Sequence, residues 1–183
     1  MSIRDEINAR IAEERLFPLK PLNEKDNKRR TMLMSPEINE LVMGPWPPDG
    51  PMGARCGRLR ADLESLITSE NITVCWKPHK GRTEQIGRLC PVSDEVWDLR
   101  SQDPRPGLRV FFRFAEKNVF VALTCAPRSV PVPWLPRFPL LDEREWRKAI
   151  VTCRSQWRIL FPAHEPISGS SADAYLTGAR LLQ

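Results

Sequence analysis

Arg109, Phe111 and Arg113 alternate with Leu108, Val110, Phe112 and Phe114 in one short run of this chain. Such alternation is the signature of a strand, so the two arginines and Phe111 share one face and the four apolar residues share the other. Arg100 closes the preceding segment Val96-Trp-Asp-Leu-Arg100, and Arg128 follows Val119–Pro127. A guanidinium grips phosphate oxygens with two parallel N–H groups, and an aromatic ring stacks on a base. A second basic stretch, Lys77-Pro-His-Lys-Gly-Arg82, reads as a turn that adds Lys77, Lys80 and Arg82. Its His79 has a side chain that exchanges a proton near neutral pH.

The elements that must hold these residues are legible on either side. Ala115-Glu-Lys-Asn118 closes a hairpin, because Asn tolerates the left-handed turn conformation. Val119, Val121, Leu123 and Cys125 are expected to continue the apolar face of Val110 on the partner strand. Residues 72–76, 83–90 and 95–100 have strand composition. Thr31–Met34 reads as a short strand, and Ser35-Pro36 opens a helix carrying Ile38, Leu41 and Val42. A helix over about 54–68 places Cys56, Leu59, Leu63, Leu66 and Ile67 on one stripe. Residues 126–141 contain five prolines and Trp134 and read as an extended loop. A helix then runs from Asp142 to about Leu160, with Trp146, Ala149, Ile150, Cys153, Trp157 and Leu160 inward and Arg144, Arg147, Lys148, Arg154 and Arg158 mostly outward. Residues 172–182 are expected to form a short helix.

At the N-terminus, Ile3, Ile7 and Ile11 repeat every four residues, and Ser2 with Asp5 makes a capping box. Residues 22–30 are polar. The chain therefore divides into an N-terminal helical appendage and linker (1–30), an α+β domain (31–160) and a C-terminal tail (161–183). The expected fold class is α+β, a small antiparallel sheet packed on helices.

Composition bounds the function. The chain has 183 residues and a formal net charge of +5, with 41% hydrophobic and 28% charged residues. Residues 104–160 hold eleven Lys/Arg against four Asp/Glu, so the positive surplus is concentrated there. Such a surface suits phosphate-bearing partners and serves equally as a solvated face that keeps a protein soluble. No apolar run approaches the ~20 residues a membrane span needs. Charges stand where a signal peptide needs an apolar region, so a cytoplasmic location is expected. The five cysteines are scattered, with no CxxC or Cys/His pair at ligand spacing, which argues against a zinc site or a disulfide framework.

From about residue 31 to 160 the order of elements resembles that of the RelE/HigB-like toxins, bacterial ribonucleases of type II toxin–antitoxin systems, in their phage-derived RelE-like branch. Val96-Trp-Asp-Leu-Arg100 is similar to the family's hydrophobic–acidic–Leu–Arg strand. Leu108-Arg-Val-Phe-Phe112 is similar to its Arg–hydrophobic strand, and Val119–Leu123 to the strand that precedes its basic pair. Of that pair one member, Arg128, is kept. A tyrosine expected six residues further on is Trp134 here, which can stack but cannot transfer a proton.

The resemblance implies a ribosome-dependent mRNA endoribonuclease that uses the RNA 2′-hydroxyl as nucleophile, needs no cofactor, binds mRNA and the ribosome, and is restrained by a cognate antitoxin. Arg109 and Arg128 would stabilise the phosphate in the transition state, with His79 as a general-base candidate. Arg100 and Arg113 would position the backbone, Phe111 or Trp134 would stack on a base, and Lys77, Lys80 and Arg82 would add charge. Two other readings remain open. One is the same fold without catalysis, a nucleic-acid- or protein-binding module of phage or mobile-element origin. The other is an interaction protein that docks through helix 2–16. That helix is also expected either to lie over the arginine face or simply to complete the core.

Overall fold

A computed structural model describes residues 1–23, 25–46, 51–78, 83–104, 107–127 and 139–181; the side chains of residues 51, 52 and 139–143 lie outside the described set. In chain order the elements are α1 (Ile3–Ala12), β1 (Phe17–Pro18), β2 (Thr31–Met34), α2 (Pro36–Met43), α3 (Pro51–Thr68), β3 (Ile72–Cys75), β4 (Ile86–Arg88), β5 (Trp97–Ser101), β6 (Leu108–Glu116), β7 (Val119–Pro127), α4 (Pro139–Leu160) and β8 (Ala179–Leu181). The fold is α+β.

The sheet is neither small nor purely antiparallel. Among the described residues eight strands lie in the order β1-β2-β7-β6-β5-β4-β3-β8. The expected meander β4-β5-β6-β7 forms its antiparallel centre. Parallel pairs flank it, β2 on β7, and β3 on both β4 and β8.

Helices cover both faces. On one, α2, α3 and the segment around Tyr175 close over Met32, Met34, Ile72, Val74, Ile86, Trp97, Leu99, Val110, Phe112 and Phe114. On the other, α4 and α1 cover Leu33, Val96, Phe111, Val121 and Leu123. The arginine-bearing face of β6 is therefore packed under a helix, where the alternation alone reads as an open face. Charged and aromatic residues at alternate positions fit a two-sided core when each charge finds a partner.

Cys125 lies opposite Val110 on the expected face, but the phase of β7 from Val119 to Leu123 differs from the expected one. Phe111 pairs with Thr124 and Phe112 with Ala122, so Leu123 is the extra residue of a bulge. Phe120 and Ala122 thus join Phe112 on the first face, while Val121 and Leu123 join Phe111 on the second. The hairpin itself turns through Asn118 at φ 66°.

Local signals explain the starts of α1 and α2. The Ser2 hydroxyl and the Asp5 carboxylate exchange capping bonds at α1. The Ser35 hydroxyl accepts from the Ile38 N–H at α2, with Pro36 in the first turn. The end of α3 is closed from outside: Arg30 donates to the carbonyl oxygens of Leu66, Ser69, Glu70 and Thr177 at 2.6–3.1 Å. Leu66 is in the last turn of α3 and Ser69 and Glu70 follow it, where carbonyls go unpaired and a cation suits the dipole, while Thr177 ties in the segment before β8.

Residues 1–30 contribute Leu16 and Leu19 to the interior and β1 to the sheet edge. α1 lies against the end of α4, where Arg10 Nε donates to the Leu160 carbonyl at 2.8 Å. Residues 161–181 contribute Phe161, Ala172, Tyr175 and Leu176 to the interior. Where a short terminal helix was expected, a single 3-10 turn (Ala172–Ala174) and β8 are found.

Candidate functional site, an arginine pair on a buried aspartate

β5 and β6 run antiparallel with Arg100 directly opposite Arg109 and Asp98 directly opposite Phe111. All four belong to the α4-side face. Like charges facing each other across a strand pair repel, so this register needs a counter-ion. Asp98 supplies it. Its Oδ2 accepts from Arg109 Nη1 at 2.5 Å and lies 3.4 Å from Arg100 Nε. Glu84, just before β4, lies 3.5 Å from Arg100 Nη1. The Asp98 side chain is fully buried, whereas that of Arg109 keeps 19% of its surface.

Two further features fix the arginines. Gly87 of β4 is the cross-strand partner of Asp98. A Cβ there would stand 2.6 Å from Arg100 Nη2 and 2.8 Å from Asp98 Oδ1. The missing side chain is the space the carboxylate and the guanidinium occupy. Above, the Arg109 guanidinium stacks on Trp146 of α4 at 4.4 Å, and Trp146 packs edge-on against Phe111 with ring centroids 5.0 Å apart. An arginine clamped by a buried carboxylate and an indole is held in one orientation before any partner arrives.

The structure thus brings together Arg100 and Arg109 of the sequence-derived candidates. Phe111 is fully buried beneath Trp146 and has no face open to a base. Arg113 is turned to structure as well. It is 5% exposed, donates to the Asp94 carbonyl at 2.5 Å and lies over the Trp157 ring at 5.3 Å. Burial pulls its pKa below the ordinary arginine value. Lys77 is exposed just past the end of β3. His79, Lys80, Arg82, Arg128 and Trp134 lie outside the described residues. β7 ends at Pro127, opposite Leu108.

Sequence reasoning passed over Asp98, Glu84, Gly87 and Trp146 as partners of the arginines. A signal for the first existed: an aspartate between Trp97 and Leu99 inside a strand must either face water or carry a cation. Trp146 was read as core, and it is the roof of the pair.

A second polar group lies on the opposite face of the sheet. The Tyr175 hydroxyl donates to Glu95 Oε2 at 2.6 Å and accepts from the Gly169 N–H at 2.7 Å. Glu95 in turn holds Arg88 at 2.6 Å, and Arg88 lies over Trp76 at 4.7 Å. Burial first, then the bond to Glu95 and its charge, push the Tyr175 hydroxyl up to about 12. Trp97, Phe114 and Trp76 surround its ring, which marks the group as a core network.

Among the described residues no group of three or more His, Cys, Asp or Glu side chains is placed to hold a metal ion. No described helix is long and apolar enough to cross a membrane. No family model matches the chain, and no curated protein or solved structure matches it either.

Proposed function

We propose that the protein is a RelE-like binding module that engages RNA through Arg109, with Arg100 buried beside it, without cleaving it. The observation that carries this reading is the clamp on Arg109. The buried Asp98 carboxylate and the Trp146 ring aim a partly exposed guanidinium at the end of the sheet while offsetting its charge. A preset fork of this kind suits recognition of a phosphate. Cleavage asks for more. It needs a proton acceptor beside the 2′-hydroxyl and uncompensated positive charge on the phosphate. Asp98 is fully buried between two arginines and Glu84 faces Arg100, so neither carboxylate is placed as that base.

One observation favours the second reading, a ribosome-dependent mRNA endoribonuclease held by an antitoxin. Arg109 pairs with Ala126, and the sequence carries a second cation, Arg128, two residues after that partner. Adding the purified chain to a bacterial translation reaction and mapping new 5′ ends on the message separates the two. Intact message, together with salt-sensitive binding of a labelled oligoribonucleotide that Arg109→Ala weakens about tenfold, supports the binding module. Cuts confined to translated message and abolished by Arg109→Ala support the nuclease. Intact message with no RNA binding rejects both.

A further inference from the structure

The outer face of α4 is organised independently of the arginine pair. Its inner stripe, Ala149, Ile150, Cys153, Trp157 and Leu160, is buried on the sheet. Opposite stands Val151, 58% exposed, with Arg144 seven residues before it and Arg158 seven after. Seven residues fall only about 20° short of two full turns, so the three lie on one line along the helix. Arg147 and Arg154, also seven apart, form the neighbouring line on one side. Lys148, Ser155 and Ile159 flank the other, and Ile159 is 64% exposed. Between residues 144 and 160 five Lys/Arg stand against a single acid, Glu145. Arg154 is tied to Asp94 at 3.1 Å and Lys148 to Glu145 at 2.7 Å.

We propose that this face docks an acidic amphipathic helix of a partner protein. Three physical points select that occupant. The field is positive, so the partner is acidic; a second copy of the same basic face would be repelled. The repeat of seven matches the spacing at which two helices keep a common seam. The centre of the face is apolar: Val151 lies between the two arginines and Ile159 beside them, and a phosphate backbone offers such residues nothing to bury against. A helix with an apolar residue at the level of Val151 and carboxylates one heptad away on either side would cover the valine and meet Arg144 and Arg158 together. The surface is distinct from Arg109, which lies beneath the opposite side of the same helix.

The test uses the full chain and a fluorescein-labelled synthetic peptide of about three heptads, with leucine at one heptad position and glutamate on both flanks. The comparison probes are a shuffled peptide of the same composition, an oligouridylate and vesicles containing anionic phospholipid. Saturable binding of the heptad peptide is expected, at least about tenfold tighter than the shuffled one, which at 1.4 kcal/mol per decade is a difference readily measured. Val151→Glu should weaken it about tenfold. Arg144→Glu with Arg158→Glu should abolish it and restore binding to a peptide whose glutamates are replaced by lysines. These side chains are exposed, and an unchanged melting temperature checks that the variants fold. Arg109→Ala should leave peptide binding unchanged, and Val151→Glu should leave oligouridylate binding unchanged, so failure here is distinguishable from failure of the RNA reading. No peptide binding, equal binding of the shuffled peptide, or vesicle or oligouridylate binding that falls with Val151→Glu would overturn the proposal.

Discussion

Arg100 and Arg109 stand directly across from each other on β5 and β6, and the carboxylate that permits this, Asp98, comes from the same strand as Arg100. One strand thus carries both a cation and the counter-ion for its neighbour's cation. Register brings the three charges together, and Gly87 and Trp146 hold them there.

Removing that counter-ion should be costly. Asp98→Ala leaves two largely buried guanidinium groups repelling each other, and loss of one partner of a buried ion pair costs about 3–5 kcal/mol. Urea unfolding should show a lower midpoint with an unchanged slope. Asp98→Asn keeps the shape and removes the charge, so it should lose most of the same stability. A loss under about 1 kcal/mol in both variants would mean that the cluster is effectively solvated.

Gly87→Ala probes the same cluster from below. The new methyl would meet Arg100 Nη2 at 2.6 Å and Asp98 Oδ1 at 2.8 Å, so the guanidinium must move. Overpacking of this sort costs about 1–3 kcal/mol. If Arg100 swings aside cheaply, stability will hold and only the binding of a labelled oligoribonucleotide will fall.

The raised Tyr175 pKa gives a pH signature of definite sign. Below about 10 the phenol is protonated in both the folded and the unfolded chain. As pH rises from there to about 12, the unfolded chain releases the proton and the folded chain retains it, so stability falls across that window. In Tyr175→Phe this component of the alkaline slope should vanish. The chain has one tyrosine, so its tyrosinate absorbance reports the group directly. A titration midpoint at the ordinary value would refute the assignment.

Thiol chemistry should single out one cysteine. Cys90 is exposed, whereas burial pushes the Cys125 and Cys153 thiols up to about 12. Because the thiolate is the reactive form, a chromogenic disulfide reagent at neutral pH should give a fast phase of one equivalent. Cys90→Ser should remove that phase. Rapid labelling of Cys153 in the folded protein would contradict the packing of α4.

Reading order in the chain recovered the elements whose pattern is long. The β6–β7 hairpin and the inner stripe of α4 are written in a spacing that repeats along the element, and the starts of α1 and α2 in a capping pair three residues apart. What escaped was short or relational. β1 has two residues and β8 three, too few for any period. The bulge at Leu123 reversed the apolar phase of Val119–Leu123, while Cys125 kept its own, without any glycine to announce it. The arginine-bearing face of β6 lies under a helix that begins more than twenty residues later, so its burial depends on a contact no local window contains. For the same reason Arg109 and Arg100 were found, as residue types, while the Asp98 and Trp146 that give them their geometry were not.

Tyr175 lies near the end of the chain yet fills the centre of the first core, between Trp97 and Phe114. During synthesis, α2, α3 and the whole meander emerge with that slot vacant. Their apolar face stays incompletely sealed until the segment carrying Tyr175 and Leu176 clears the ribosome. Completion of the core thus follows the meander in the order of synthesis, and a chain lacking the Tyr175 segment leaves the apolar face of Trp97 and Phe114 open.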